Sequence, residues 1–419
     1  MAKWRDCRLG DLLQVKHGFA FLGEYFGSSG THVVLTPGNF LEEGGFTERP
    51  EKAKWYNGPI PKNYVLNEGD LIVAMTEQAE GLLGSSAIIP RGGFFLHNQR
   101  LGLLQIRDPQ QADQRFIYYL FNSKPIRQQI RGSASGTKIR HTSPSRIAEV
   151  KASVPPLSVQ RRIGCILSAY DELIENSQQR IRILESMARA LYREWFVHFR
   201  FPGHEKHRRV ASPLGNIPEG WAVVSIDDVC APVTDGSHYS PKSVDEGMPM
   251  ASSKDMHDWG LNLDTARLIR PEDFADLVRN NCKPKKNDVL ITKDGANYLK
   301  HIFVTRAEQE VVLLSSIAML RPSARINPHL LAAILKEPEN KGRLKNYVTG
   351  AAIPRVILKD FKRFELLLPS GEVQAAWAKI AEPMTEQIWR LIDKIQNLRR
   401  TRDLLLPRLL SGQLSLRGN

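Results

Sequence analysis

The sequence predicts an α/β (α+β) fold, in which two similar domains with mixed sheets are separated by a long antiparallel pair of helices. Three observations lead to this prediction: a heptad pattern occurs twice, the two copies are separated by a constant interval, and strand-like runs precede each copy. With 419 residues, the chain is long enough for two or three domains, each with its own core.

The first heptad pattern extends from about residue 158 to about residue 200. Its apolar residues recur in alternating steps of four and three, which is typical of a helix packed along one side. Ser158 is a suitable N-cap for this helix. The apolar positions that we assign to the helix pair or to a partner interface are Ile163, Leu167, Tyr170, Ile174, Ile181, Leu184, Leu191 and Trp195.

The second heptad pattern lies near the C-terminus, and each of its positions follows a position of the first at one constant offset in residue number, as Trp377 follows Ile163 (377 − 163 = 214). We call this offset the repeat interval. Two such helices can bury their apolar positions against each other. A helix of about 40 residues is roughly 60 Å long, so the pair is predicted to be a coiled-coil rod within a pseudo-two-fold repeat. The corresponding assigned positions are Trp377, Ile388, Leu391, Ile395, Leu398, Leu405 and Leu409.

Two residues interrupt the coiled-coil pattern. Pro383 is expected to kink or restart the second helix, and Arg402 is expected to lie at the edge with its charge in water. Further apolar residues flank the heptad positions, and two helices alone cannot bury so wide a stripe, so we predict a docked protein partner. These flanking residues are Ile166, Leu173, Ile183, Phe196, Leu404 and Leu406.

The predicted domains are residues 1–154 and 212–368, with a central helix and basic linker at 155–211 and a distal helix and tail at 369–419. Strands are expected in the first domain at 32–35, 70–74, 86–89, 101–106 and 149–154, with a helix from Phe116. In the second domain they are expected at 221–224, 288–291, 301–304, 317–320 and 364–368, with a helix at 328–335.

The repeat extends into the domains. Trp221 corresponds to Trp4, the pair Asn287-Asp288 corresponds to Gly69-Asp70, Arg321 corresponds to Arg107, and Gly350 follows Gly136 at the repeat interval. Between these positions the two domains differ in most residues. A shared framework with different residues between the matching positions indicates two copies of one binding domain with two different targets.

The charge indicates a polyanionic partner. A net charge of +13 and a pI near 9.6 favour nucleic acid, although a generically basic protein is an alternative. No apolar run is long enough to cross a membrane and no signal peptide is recognisable, which predicts a cytoplasmic protein. The scattered residues Cys7, Cys165, Cys230 and Cys282 indicate free thiols and argue against a zinc site.

Catalytic motifs are not found in the sequence. It contains no phosphate-binding G-x-x-x-x-G-K-[ST] loop, no G-x-G-x-x-G after a strand, no H-E-x-x-H and no G-x-S-x-G. The stretch Asp235-Gly-Ser-His238 is interpreted as a loop that serves turn geometry or ligand contact rather than catalysis, and Asp70 and Asp288 are given turn roles. We therefore predict a binding protein with no catalytic residue, no metal and no cofactor of its own.

Candidate DNA contacts lie in the loops, because Arg and Lys suit guanine or phosphate while Asn and Gln suit adenine. Each of them is alternatively an ordinary solvated loop residue. The candidates are Thr76, Gln78, Asn98, Arg100, Lys138, Arg140 and His141 in the first domain, and His238, Tyr239, Lys254, Lys293, Asn297 and Arg355 in the second.

The whole chain resembles the specificity subunits of type I restriction–modification systems. The segments that carry the resemblance are Tyr192 to Glu205 (YREWFVHFRFPGHE), Leu214 to Trp221 (LGNIPEGW), Leu405 to Leu414 (LLPRLLSGQL), and, inside the domains, residues 35–40, 69–76 and 235–238.

The resemblance implies two target-recognition domains that each read half of an asymmetric, bipartite site in double-stranded DNA, with the paired helices setting the spacer. It also implies partners: two methyltransferase subunits that flip and methylate an adenine with S-adenosylmethionine, and motor–nuclease subunits that use ATP and Mg²⁺. One alternative is a scaffold or decoy subunit that binds the methyltransferase but reads no DNA. An autonomous methyltransferase or nuclease is disfavoured by the missing motifs.

Overall fold

The computed structural model describes residues 4–77, 81–295, 297–349 and 354–414. The chain divides into two compact units, residues 1–177 with 394–419 and residues 178–393. Each unit therefore combines one globular domain with part of each of two long helices. Within the described residues, Cys7, Cys165, Cys230 and Cys282 are free thiols.

The first unit is built on an antiparallel four-stranded sheet in the order β2-β10-β6-β8. A second sheet has the order β3-β5-β4-β9, in which β4 and β9 are parallel. The strands are β1 Arg5–Arg8, β2 Leu13–His17, β3 Phe26–Gly27, β4 His32–Val34, β5 Trp55–Tyr56, β6 Leu71–Ala74, β7 Thr76–Glu77, β8 Ser86–Ile88, β9 Phe95–Leu96, β10 Leu101–Ile106, β11 Arg140–His141 and β12 Lys151–Val154. The helices are α1 Leu9–Leu12, α2 Gln114–Phe121, α3 Lys124–Gly132, α4 Pro144–Ala148 and α5 Leu157–Tyr192.

The second unit repeats this framework with the sheet order β16-β24-β21-β22 and a parallel pair of β17 and β23. Its strands are β13 Arg209–Ser212, β14 Gly215–Pro218, β15 Ala222–Ser225, β16 Cys230–Asp235, β17 Met248–Ala251, β18 Met256–His257, β19 Gly260–Leu261, β20 Arg267–Ile269, β21 Val289–Thr292, β22 Ile302–Val304, β23 Val312–Leu313, β24 Ile317–Pro322, β25 Val348–Thr349, β26 Arg355–Val356 and β27 Glu365–Leu368. Its helices are α6 Ile226–Val229, α7 Pro271–Arg279, α8 Pro328–Lys336, α9 Pro338–Leu344, α10 Leu358–Phe361 and α11 Gly371–Leu410.

The repeat is visible at the level of single hydrogen bonds. The buried amide of Gln160 accepts from the Asp113 backbone N–H at 3.0 Å and donates to the carbonyls of Gln111 and Pro155. Gln374, its counterpart at the repeat interval, makes the same three bonds with the Asn327 N–H and the carbonyls of Arg325 and Pro369. Each glutamine ties the start of its long helix to the loop before the preceding domain helix, since all these backbone groups would otherwise lack a partner.

The turns before the two central strands also match. Gly69 and Asn287 both have left-handed backbones, with φ of 83° and 71°. The carboxylates of Asp70 and Asp288 each accept the backbone N–H three residues earlier, at 2.8 Å and 2.7 Å. The turn roles predicted for both aspartates are therefore confirmed.

The two long helices are antiparallel within each unit, as predicted. In the first unit Ile163 and Leu167 share a core with Leu409. In the second, α5 ends in a π-helical turn, Arg193–Val197, whose Phe196 ring lies 5.7 Å from that of Trp377. Phe196 is therefore buried in the core of the second unit, and the expectation that it widens an exposed stripe is wrong.

One further expectation about the helices is wrong: α5 begins at Leu157, so Ser158 lies inside its first turn, and the Pro156 carbonyl accepts from the Val159 and Gln160 N–H groups. α11 continues through Pro383 without restarting, and the alternative of a kink there stays a prediction. Arg209–Ala211, part of the predicted basic linker, lie in the strand β13 of a hairpin whose second strand begins at Gly215 with a φ of 94°.

Arg402 does not keep its charge in water, which corrects the prediction. Its side chain is 19% exposed and donates to Asp171 of α5 at 2.6 Å and to Asp403 at 2.9 Å. The other oxygen of Asp171 accepts from the Tyr119 hydroxyl at 2.5 Å. An ion pair within the unit, rather than solvent, compensates the arginine at this heptad position.

Candidate nucleic-acid interface

The predicted loops of the first unit meet at one end of its central sheet, where β2 and β6 finish and β10 begins. We call this the loop end. The Met75 N–H donates to the Arg100 carbonyl and the Thr142 N–H donates to the Met75 carbonyl, both at 2.9 Å. The Gly18 N–H donates to the Leu101 carbonyl at 3.3 Å. Segments that are far apart in sequence are thus held together by backbone hydrogen bonds.

A glycine permits this close approach in both units. A Cβ at Gly18 would lie 1.9 Å from the Asn98 carbonyl oxygen, and one at Gly236 would lie 2.2 Å from the Leu313 oxygen. Neither position has room for a side chain. The residue before each glycine is placed at the loop end: His17 in the first unit and Asp235 in the second.

The side chains at the first loop end are polar, and the cationic ones are exposed. The Thr76 hydroxyl, which is buried, lies 3.1 Å from His141 Nδ1 across the pair of β7 and β11. Arg140 and His141 are exposed, and Lys138 is exposed on a tight loop that Ser135 and His141 close through two backbone hydrogen bonds. This loop could present its cations to phosphates.

The remaining candidates of the first unit differ in accessibility. Arg100 is exposed, and Asn98 is half-buried with its side-chain oxygen accepting from the Arg100 N–H at 3.2 Å. His97, in the same predicted loop, is buried, and burial lowers its pKa to about 4, so it is a neutral core residue. Gln78 lies outside the described residues.

The second unit has the same loop end with different side chains. The Lys293 N–H donates to the Ser316 carbonyl at 2.9 Å, and the Val356 N–H donates to the Lys293 carbonyl at 3.1 Å. The Ser253 N–H, next to the exposed Lys254, donates to Ser316 Oγ at 3.0 Å. The loops that carry His238, Lys254, Lys293 and Arg355 therefore converge.

An ion network occupies the centre of this second loop end. Lys293 is buried, and its Nζ lies 2.8 Å from Asp235 and 3.7 Å from Asp294. His238 approaches Asp235 at 3.2 Å, and Arg355 approaches Asp294 at 3.5 Å. Burial raises the pKa of the Asp294 carboxyl. Lys293 thus positions this loop in the unbound chain, while its role as a DNA contact stays a prediction.

The other candidates of the second unit lie around this network. Tyr239 and the side chain of Arg355 are exposed, and Asn297 is half-buried in the loop after β21. Their contacts with DNA stay predictions, as do those of the first unit. The list of candidate contacts omits His17, Asp235 and Asp294, although His238 and Lys293 on the loops of the two aspartates are in it. Alignment of His17-Gly18 with Asp235-Gly236 was the available signal for the first two.

The two loop ends therefore share a backbone frame but differ in chemistry. The first has exposed cations next to the buried Glu77. The second pairs the buried Lys293 with Asp235 and Asp294 and also carries exposed cations. Among the residues described in this structure, no group of three or more His, Cys, Asp or Glu side chains is arranged to hold a metal ion. Within the same residues, no helix is both long and apolar enough to cross a membrane.

A family model named Type I restriction modification DNA specificity domain matches the chain twice, at residues 1–186 and 218–398. The chain belongs to this family. The two matches to the family fall on the two copies of the repeat. They agree with the shared backbone frame of the two loop ends, which also indicates a duplicated domain.

Two specificity subunits and one solved structure are similar to this chain over most of its length. The MjaIX specificity subunit of Methanocaldococcus jannaschii is 25% identical over 71% of this chain and 68% of its own. The EcoBI specificity subunit of Escherichia coli is 23% identical over 98% of this chain and 86% of its own. The crystal structure of a type I S subunit from M. genitalium shares the fold, with a TM-score of 0.61 and 17% identity over 97% of this chain and 96% of that one.

Proposed function

We propose that this chain is the DNA-reading subunit of a type I restriction–modification complex and recognises an asymmetric, bipartite site. The observation that carries the proposal is the pair of loop ends, which repeat one backbone frame with different side chains. The shared backbone frame places each unit on the DNA duplex in the same way, whereas different polar side chains select different bases. Each unit then reads one half-site.

The proposed reader has no catalytic role of its own. Adenine methylation belongs to two methyltransferase subunits with S-adenosylmethionine, and restriction belongs to motor–nuclease subunits with ATP and Mg²⁺. The names of the relatives, which are specificity subunits of restriction enzymes, support this division.

We further propose that the methyltransferase subunits dock on the outer faces of the long helices. Several large apolar side chains there are exposed although the heptad positions are not. Ile183 and Met187, one turn apart on α5, are 58% and 48% exposed. Exposed apolar residues on neighbouring turns mark an association surface. Those on the helices are Leu173, Ile183, Met187, Ile380 and Leu404.

The experiment is to co-express the chain with a type I methyltransferase subunit and to map adenine methylation across the host genome. We expect a new split motif that is absent when the methyltransferase is expressed alone. A stable complex that methylates nothing new, and shows no salt-dependent DNA binding, would favour the scaffold alternative. Binding of S-adenosylmethionine by the purified chain alone would contradict the proposed absence of catalysis.

Substitution of both Lys138 and Arg140 by alanine is expected to weaken DNA binding across all sequences. Each lost phosphate contact should reduce the slope of log affinity against log salt by about 1. The measurement is a salt titration of the methyltransferase complex on its methylated motif. The control is Lys151→Ala, an exposed cation on β12, away from the loop end, which should leave the slope unchanged. An unchanged slope in the double variant would show that this loop does not contact DNA.

A further inference from the structure

The second unit contains a cavity of about 280 Å³ between the second half of α5, α8 and the first half of α11. The inner wall is largely apolar and aromatic, and the loop that carries Trp259 covers one side. The residues that line it include Ala188, Trp259, Ala333, Lys336, Trp377 and Thr385.

Large polar residues occupy the corresponding place in the first unit. Tyr119, Asp171 and Arg402 form their hydrogen-bonded network there. The residues related to these three by the repeat interval are Ala333, Thr385 and Ala188. All three replacements are small and all three line the cavity. The cavity thus occupies the place in the second unit that corresponds to the ion pair of the first unit.

Lys336 is the cation on the inner wall of the cavity. Its Nζ lies 4.6 Å from the centre of the Trp259 ring and has no ion pair among the described residues. The indole N–H groups of Trp377 and Trp389 also lack a partner within the described part of the chain, but both are closed off from the open space of the cavity. A ligand that supplies an acceptor to Lys336 would therefore be stabilised here.

The carboxylates that line the cavity are already engaged. Glu185 accepts from the Trp259 Nε1–H at 2.6 Å, Asp258 lies 2.8 Å from His301 Nδ1, and Glu337 pairs with Arg193 at 2.7 Å. Cations also line it, namely Arg189, Lys300, Lys336 and Lys341. The surplus of positive charge and of donors favours an anion.

We propose that this cavity binds a small organic anion with a flat apolar body, of the aromatic carboxylate class. The carboxylate accepts from Lys336 and the ring packs between the aromatic and alanine walls. The volume is close to the lower end of the range of about 300–1,000 Å³ that is usual for small-molecule sites. This proposal does not depend on the proposed DNA-reading function.

The test uses the full chain with 2-naphthoate as the anionic probe and 2-naphthamide as its neutral counterpart. Titrations are followed by calorimetry and by tryptophan fluorescence, to which the indoles of the cavity contribute. We expect 2-naphthoate to bind at least about tenfold more tightly, which is about 1.4 kcal/mol. Equal affinity for the two probes, or no binding of either, would overturn the proposal.

Three variants distinguish binding in the cavity from binding elsewhere on the surface. Lys336→Met should abolish the preference for the carboxylate, whereas Lys359→Met, at an exposed lysine of the same unit, should preserve it. Ala333→Leu should weaken the binding of both probes by filling the cavity. Retention of the preference in Lys336→Met would overturn the proposal.

The fold of the Lys336→Met variant can be checked independently. Burial lowers the pKa of Lys336 to about 8, so the folded state disfavours its charged form. The pKa of Lys336 is lower in the folded state than in the unfolded state. Its charge therefore lowers the free energy of unfolding below about pH 8, and this loss disappears as the pH rises. Lys336→Met is therefore expected to raise the melting temperature at pH 7. A lower melting temperature in this variant would contradict the conclusion that the charge of Lys336 destabilises the folded state.

The pH dependence of binding gives a second readout. The charged groups that face Lys336 are Asp258, Glu185, Lys341 and Arg189, and burial also lowers the pKa of Lys341. His329, on the same wall, has a pKa lowered by burial and is neutral above pH 7. The affinity for 2-naphthoate should therefore fall as the pH rises from 7 to 9, while that for 2-naphthamide stays constant. A constant affinity for both would count against Lys336 as the anion's partner.

Discussion

Replacement of Arg321 by alanine is expected to lower the free energy of unfolding of the second unit by about 3–5 kcal/mol. Arg321 donates twice to Asp288 at 2.8 Å, and the Asp288 side chain is 0% exposed. The hydrogen bond to Asp288 raises the pKa of Arg321. Without the arginine, Asp288 remains buried and uncompensated at the start of β21. The measurement is amide hydrogen exchange in β21 and β24, with urea unfolding as a global check.

The repeat supplies a matched control for this variant. Arg107 is the counterpart of Arg321, but its Nε donates to the Gly10 carbonyl at 2.8 Å and it has no ion pair among the described residues. Arg107→Ala should therefore cost only about 0.5–1.5 kcal/mol, the usual value of one hydrogen bond. Equal losses in the two variants would show that the buried carboxylate is not the source of the effect.

Replacement of Asp171 by alanine is expected to destabilise the first unit by about 2–3 kcal/mol. Asp171 is the shared acceptor for the Arg402 guanidinium and the Tyr119 hydroxyl, and it links α2, α5 and α11 within this unit. The side chains of Asp171 and Arg402 are 31% and 19% exposed, so solvent screening keeps the loss below that of a fully buried pair. The measurement is urea unfolding, with hydrogen exchange in α2 to assign the loss to the first unit.

A double-mutant cycle with Arg402→Met isolates the ion pair from the packing. The double variant Asp171→Ala/Arg402→Met should recover part of the loss, because no uncompensated charge remains. Thr385→Ala is the matched control, since Thr385 occupies the same position in the second unit and makes only a local bond to the Ala381 carbonyl. Additive losses in the cycle would contradict a coupled pair.

The framework could be predicted from the sequence because its signals are local and occur twice. The heptad positions, the strand β10 at 101–106 and the turns at Gly69 and Asn287 all follow from periodicity or from turn chemistry. The repeat interval then aligns Gln160 with Gln374, which make corresponding hydrogen bonds.

The polar contacts could not be predicted, because each joins residues far apart in the chain. Lys293 is paired with Asp235, which lies 58 residues away in the sequence, and Arg402 is paired with Asp171, which lies 231 residues away. Sequence pattern alone treats both cations as solvent-facing. The cavity could not be predicted for a related reason. It is lined by the small residues Ala188, Ala333 and Thr385, and only a comparison of the two copies shows that they stand where the first unit has large side chains.

The most direct test of the DNA-reading proposal is to exchange residues 1–154 for the corresponding segment of a relative and to map adenine methylation by the resulting complex. If each loop end reads its own half-site, the exchanged chain replaces one half of the methylated motif and keeps the other half. A change in both halves, or an unchanged motif, would contradict the assignment of one half-site to each unit.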